Sequence, residues 1–251
     1  MNFYQEYPPH PILATHVACL WTSHAIPAGG PIRRRILPDN CIDILWQDHA
    51  PSGFVAGMMS RSHLFETDRP LLTVAVRFLP GAARAFFDLP LHALQDGHPA
   101  LDALWPRHET EALAARLWER ERTTAQRLAT LQDFLLARLR RHAPVPADRL
   151  VRAALARIDA AHGAIRIEEL ARGLHVSRQH LALQFRERVG LNAKTYAMVS
   201  RFRHAGASAR GHGGARIDWA DLAAACGYYD QSHLIYEFRL LADETPAAFA
   251  L

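Results

Sequence analysis

The chain has 251 residues, of which 49% are hydrophobic and 22% charged, a balance that excludes a disordered or collagen-like polymer and leaves room for two ordinary domains. Its formal net charge of +4 and sequence pI near 9.2 permit a polyanionic partner without requiring one. Cys19, Cys41 and Cys226 are far apart and form no CxxC pair, so a disulfide framework or a cysteine-built zinc site is not expected. The opening MNFYQEYPPHP lacks the basic and apolar regions of a signal peptide, and no apolar run reaches the length of a membrane span, so a reduced cytoplasmic setting is expected.

The first hundred residues have β character. Candidate strands are His16–His24, Arg33–Leu37, Ile42–Gln47, Gly53–Gly57 and Leu71–Phe78, each short and rich in Val, Ile, Leu, Trp and Phe. Turn clusters such as Pro27–Pro31, Pro38–Asn40 and His49–Gly53 separate them, which suggests a small β-barrel or a cupin-like double sheet. Asp39, Asp43 and Arg77 lie in or beside these strands and are the candidates to line a ligand pocket. Arg77 is suited to an anionic ligand or to a buried carboxylate. Trp21 and Trp46 read as barrel core, Arg33-Arg34-Arg35 as a solvated run, and Cys19 and Cys41 as inert thiols. Pro80-Gly81 ends the β pattern, and Ala82–Phe87 is a candidate short helix.

From Glu109 to His142, apolar residues at Leu113, Leu117, Leu128, Leu131, Phe134, Leu135 and Leu139 recur at helical steps. Two antiparallel helices with a break near Arg122–Ala125 are expected, and their leucine stripe offers either a dimer surface or a face packed on the β domain. Residues 143–146 (Ala-Pro-Val-Pro) read as a linker, because two prolines cannot sit inside a helix.

The C-terminal third contains a duplication. Residues 170–186 read LARGLHVSRQHLALQFR, and residues 222–239 read LAAACGYYDQSHLIYEFR. Leu170 to Leu222 is 52 positions and Phe185 to Phe238 is 53, so the second copy carries one extra residue at its turn. Each copy predicts two short helices around a tight turn, the plan of a helix-turn-helix. Ser177 and Thr245 are candidate N-caps, Asp148 another; a long helix over 193–209 is expected between the copies, followed by a Gly-rich separator at 211–214, and the second copy's helices are expected over Ile217–Ala225 and Asp230–Leu241. On the first reading helix Leu181, Phe185 and Val189 form the docking stripe, leaving Arg178, Gln179, Ala182 and Arg186 outward. On the second, Leu234, Phe238 and Leu241 dock, while Gln231, Ser232, Ile235, Tyr236 and Arg239 make the outer set. Gln pairs with adenine, Arg with guanine or phosphate, and Ala or Ile touches a thymine methyl.

The second copy, with Leu-Ala, Cys-Gly-Tyr, Asp-Gln-Ser-His-Leu, Glu-Phe-Arg and a final Thr-Pro before an aromatic, resembles the signature of AraC/XylS-type transcriptional regulators. The first copy and Arg201-Phe-Arg-His-Ala205 resemble it too, and the likeness covers roughly residues 150–250. It implies an all-α unit of seven helices whose reading helices present Gln179, Ala182 and Leu183, then Gln231, Ser232, His233 and Tyr236. The sequence departs from the family's pattern at His175 (commonly Gly), Leu183 (commonly Arg), Asn192-Ala193 (commonly Ser-Pro) and Ala242-Asp-Glu244. Pro38–Asp43, Val55–Gly57 and Val76–Gly81 resemble the N-terminal segment of a subgroup of these regulators with an uncharacterised sensing domain.

The expectation is therefore an α+β protein: a β-rich sensing domain over 1–106, a helical connector and linker over 107–146, and a double helix-turn-helix domain over 147–251. It predicts a bacterial, sequence-specific regulator binding double-stranded DNA, with a small-molecule effector and a homodimer as further partners, no membrane association, no cofactor and no catalysis. The competing expectation is a metal-dependent cupin-type enzyme carrying a DNA-binding domain. Against it, His10, His16, His24, His49 and His63 lie on separate segments, with no HxH or HExxH among them.

Overall fold

The computed structural model describes residues 3–141, 149–212 and 217–250. The N-terminal part holds seven strands: β1 (Phe3–Tyr7), β2 (Val17–Ala25), β3 (Ile32–Ile36), β4 (Asp43–Gln47), β5 (Phe54–Ala56), β6 (His63–Thr67) and β7 (Leu71–Phe78). They form a five-stranded sheet in the order β1-β2-β7-β4-β5 and a two-stranded sheet of β3 with β6, all pairs antiparallel. Of the two expected forms this is the double sheet, since no described ladder closes β1 onto β5.

The large sheet buries both faces by alternation. Leu20, Ile44, Trp46, Val55, Val74, Val76 and Phe78 enter the main core. On the opposite face Cys19, Trp21 and Ala75 form a smaller cluster under the two-stranded sheet. Trp46 is thus core, as expected, whereas Trp21 lies on the other face. β1 and β6 are the two strands the sequence did not announce. Seven of their ten residues are exposed, so ladder hydrogen bonds do much of the holding, and no regular burial pattern marks them in the sequence. The candidate helix at 82–87 is a single 3-10 turn, Ala83–Ala85.

Helices α1 (Arg107–Leu117) and α2 (Thr124–Arg141) follow, separated near the expected break. Leu113, Leu117, Leu128, Leu131 and Leu135 are all buried in the main core together with the sheet residues. The leucine stripe is therefore an internal face, which corrects its reading as a dimer surface. Arg138 is buried beside them, its guanidinium 3.9 Å from the Trp105 ring centroid. The expected linker at 143–146, the Asp148 cap and residues 213–214 of the Gly-rich separator lie outside the described residues.

The C-terminal segment has seven described helices: α3 (Arg149–Ala160), α4 (Ile167–Gly173), α5 (Arg178–Arg188), α6 (Ala193–Gly211), α7 (Trp219–Ala225), α8 (Gln231–Ala242) and α9 (Pro246–Phe249). The predicted caps Ser177 and Thr245 are in place, each accepting from the backbone N–H three residues on. Asn192 does the same at the head of α6, and Asp230, expected as the first residue of α8, is its cap. Pro246 occupies the first turn of α9, where a missing N–H costs nothing.

Candidate nucleic-acid interface

The two copies fold through the same local hydrogen bonds. After α4, His175 N–H donates to Arg172 O and Val176 N–H to Ala171 O, both at 3.1 Å. After α7, Gly227 N–H donates to Ala224 O (3.1 Å) and Tyr228 N–H to Ala223 O (2.9 Å). Both are paired end-bonds of a left-handed helix stop, centred on His175 at φ 57° and Gly227 at φ 77°. The register offset is 52 up to this point. It becomes 53 because Tyr229 is inserted between the stop and the Asp230 cap, where it stands 92% exposed.

His175 stands where glycine is easier. Its side chain is exposed, so it gains no packing in return for a backbone that L-residues resist by about 1–2 kcal/mol. His175→Gly is expected to raise stability by about 0.5–1 kcal/mol, the strain relief less the extra chain entropy of glycine. Chemical denaturation checks this, and a loss of stability would show that the imidazole contributes to the turn.

Both reading helices dock by the predicted stripes. Leu181, Phe185 and Val189 are fully buried on one side, Leu234, Phe238 and Leu241 on the other. Arg178, Gln179, Ala182 and Arg186 of α5 are exposed, as are Gln231, Ser232, Tyr236 and Arg239 of α8. Leu183 is 50% exposed, an apolar side chain on an otherwise polar face. Arg178 also pairs with Glu168 of α4 at 2.9 Å across open solvent, a contact that water and phosphate readily replace. Ile235 is half-buried. His233 turns inward: Nε2 lies 3.0 Å from Glu237 Oε1, and Nδ1 accepts from the Tyr229 N–H at 3.4 Å. Both ring nitrogens are therefore engaged within the domain.

Two residues that entered the sequence analysis only as members of family motifs, Arg201 and Glu237, hold α8 in place. Glu237 is buried, and its carboxylate forms an ion pair with Arg201 of α6. The same guanidinium lies 4.9 Å from the Tyr228 ring centroid and donates to Gly163 O at 3.4 Å. The available signal was a charge at position 237, three residues after Leu234 and beside Phe238, where a docking helix normally offers an apolar side chain.

The N-terminal candidates also come together. Arg77 Nε and Nη2 each donate to Asp43 at 3.0 Å, and Nη2 also lies 3.0 Å from Asp39. Trp21 Nε1 donates to Asp43 at 3.1 Å. Burial pushes the Asp43 carboxyl up to about 6 while Arg77 pulls it back. Against the lowering effect of burial, Asp43 and Asp39 hold the Arg77 guanidinium above its usual range. Arg77 is thus neutralised by two carboxylates of its own chain, which is the second of its two expected partners. The triad lines a cavity of about 280 Å³ between the two sheets, which Trp21, Leu45, Phe54 and Phe65 make largely apolar. Arg34 and Ile36 of β3 line it from above. Burial raises the Cys41 thiol with help from Asp39, and raises the Cys19 thiol to about 11, so neither is an activated thiolate. No group of three or more His, Cys, Asp or Glu side chains among the described residues is placed to hold a metal ion. No described helix is long and apolar enough to cross a membrane.

Residues 170–250 match the family model of a helix-turn-helix domain, and residues 5–100 match a domain of unknown function (DUF6597). Among curated proteins, none matches the sequence. Among solved structures, ToxT from Vibrio cholerae is similar at 10% identity and a TM-score of 0.47, over 98% of this chain and 97% of that one. ToxT bound to (E)-4-(8-methylnaphthalen-1-yl)but-3-enoic acid is similar at 11% identity and 0.47, over 88% and 97%. Unsaturated fatty acid bound ToxT is similar at 9% identity and 0.43, over 90% and 96%. The repeated stop-and-cap geometry and the match over residues 170–250 identify that part of the chain as a helix-turn-helix domain of the AraC type, preceded over residues 5–100 by a domain of unknown function.

Proposed function

We propose that α5 and α8 enter two successive major grooves on one face of a duplex, roughly one helical turn or about 34 Å apart. The carrying observation is that both copies bury a docking stripe and leave the opposite, polar face in solvent. Gln179, Ala182 and Leu183 on α5, and Gln231, Ser232 and Tyr236 on α8, are the base-reading set. Arg178, Arg186 and Arg239 supply phosphate contacts, and the N-caps present free helix N-termini to the backbone. His233 serves this set indirectly, by bracing α8 on Glu237. Functionally the chain divides into a sensing domain over 1–106, a connector over 107–146 and the DNA-binding domain over 147–251. A small, largely apolar effector occupies the cavity between the sheets, closed at one side by Asp39, Asp43 and Arg77. A second copy of the chain joins through a surface other than the buried leucine stripe.

Gln231→Ala tests the reading. It is expected to weaken binding to a selected site by about 1–3 kcal/mol while hardly changing binding to unrelated DNA. Electrophoretic mobility shifts with both duplexes measure the difference. Equal losses on the two would assign Gln231 to phosphate contact or to folding.

A further inference from the structure

The two reading helices are not attached to the N-terminal domain in the same way. Helices α3 to α5 and the start of α6 (Ala193, Tyr196, Ala197) share one continuous apolar core with the five-stranded sheet. Gly190, at the end of α5, lies so close to Leu91 and Met58 of the N-terminal domain that an added Cβ would be 3.1 Å from the Leu91 carbonyl oxygen. Helices α7 to α9 pack instead with Val199, Phe202 and Ala205 of α6 in a second core, against which Leu37 packs from the N-terminal domain. The first reading helix is therefore fused to the sensing domain through close-packed side chains. The second is carried beyond it on α6.

Polar contacts bridge the remaining gap, and they come from β3 and the turn that follows it. Arg35 Nη1 donates to Ala242 O and lies 3.5 Å from the Asp243 carboxylate. Ala242 is the last residue of α8, where carbonyls lack helical partners and the helix dipole favours a cation. Asn40 Nδ2 donates to Tyr196 O (3.1 Å) and to Ser200 Oγ (3.0 Å), and Arg203 Nη1 donates to Asp39 O at 3.0 Å.

This same segment is one wall of the cavity. Strand side chains alternate between faces, so Arg34 and Ile36 line the cavity while Arg35 between them reaches α8. Asp39 repeats the arrangement within one residue: its carboxylate pairs with Arg77 in the cavity wall, and its carbonyl accepts from Arg203 of α6. A body that enters the cavity and displaces β3 must move the atoms that hold α8. It need not move α5, whose attachment is packed core.

We propose that β3 and the 38–41 turn couple the cavity to the second reading helix, with Arg35 as its positioning residue, so that an effector changes the setting of α8 and leaves α5 where it is. The proposal rests on the reading of the cavity as an effector site. It is tested without DNA, so its failure stays separate from a failure of the groove-reading model.

The experiment is amide hydrogen exchange, read by mass spectrometry on the full chain, for the wild type, Arg35→Gln and Ser23→Leu. Ser23 lines the cavity from β2, so leucine fills space there while every bond of the clasp is retained. Leu45→Phe is the alternative filler if Ser23→Leu does not fold. Arg35→Gln is expected to speed exchange in α7 to α9 by about tenfold, with α5 within about twofold of wild type. The filler is expected to alter exchange in the same helices. Unchanged exchange in α8 of Arg35→Gln, or equal acceleration of α5 and α8, overturns the positioning role. A folded filler variant with α8 exchange as in wild type overturns the coupling.

Discussion

Replacing Arg201 with methionine is expected to cost about 3–5 kcal/mol of stability and to abolish sequence-specific DNA binding by the second reading helix. The side chains of Arg201 and Glu237 are 15% and 4% exposed, so the pair has little access to water. Breaking it strands the Glu237 carboxylate beside the buried Leu234, Phe238 and Leu241, with His233 Nε2 still 3.0 Å away. Methionine keeps much of the apolar stem, so the loss isolates the missing charge. The double variant Arg201→Met, Glu237→Leu leaves no buried charge unpaired and is expected to recover much of the stability. Chemical denaturation of the three proteins decides the point. If the double variant is no more stable than the single one, packing around Tyr228 and the bond to Gly163 account for the loss instead.

Gly163→Ala is expected to destabilise by about 2–5 kcal/mol, the sum of about 1–2 for a left-handed alanine and about 1–3 for overpacking. Gly163 ends the turn after α3 at φ 79°, and an added Cβ would lie 2.0 Å from Ala197 O and 2.6 Å from Arg201 N. Both are backbone atoms of α6, which cannot rotate away as a side-chain tip would. The neighbouring control is Gly211→Ala, where an added Cβ meets nothing within 4 Å and φ is not positive. That change is expected to be neutral or slightly stabilising, because alanine is the better helix residue. Thermal melts of the two variants compare them directly, and similar melting temperatures would contradict the close approach of the α3 turn to α6.

What the sequence disclosed follows from how local each signal is. The caps Ser177 and Thr245 and the docking stripes of α5 and α8 were legible because capping and helical periodicity need only a few adjacent residues. β1 and β6 were not, since pairing with a distant strand leaves no mark on side chains that stay in solvent. The leucines of α1 and α2 were legible as a buried stripe, but what covers them is a tertiary fact. Asp39, Asp43 and Arg77 were named together, yet their mutual neutralisation depends on β4 and β7 being neighbours in register, Asp43 opposite Arg77. Arg33-Arg34-Arg35 looked uniform in sequence. In the fold Arg33 pairs with Glu66, Arg34 lines the cavity and Arg35 holds the end of α8, three different fates set by strand alternation and by a helix more than two hundred residues away.

The central claim is that two helices of one chain read two adjacent grooves. Its most direct test is footprinting on a DNA site selected with the full-length protein, comparing wild type, Gln179→Ala and Gln231→Ala. Two protected patches about 10–10.5 base pairs apart on one face are predicted, with Gln179→Ala altering base preference in one patch and Gln231→Ala in the other. A single patch, or two variants that disturb the same bases, would contradict the account.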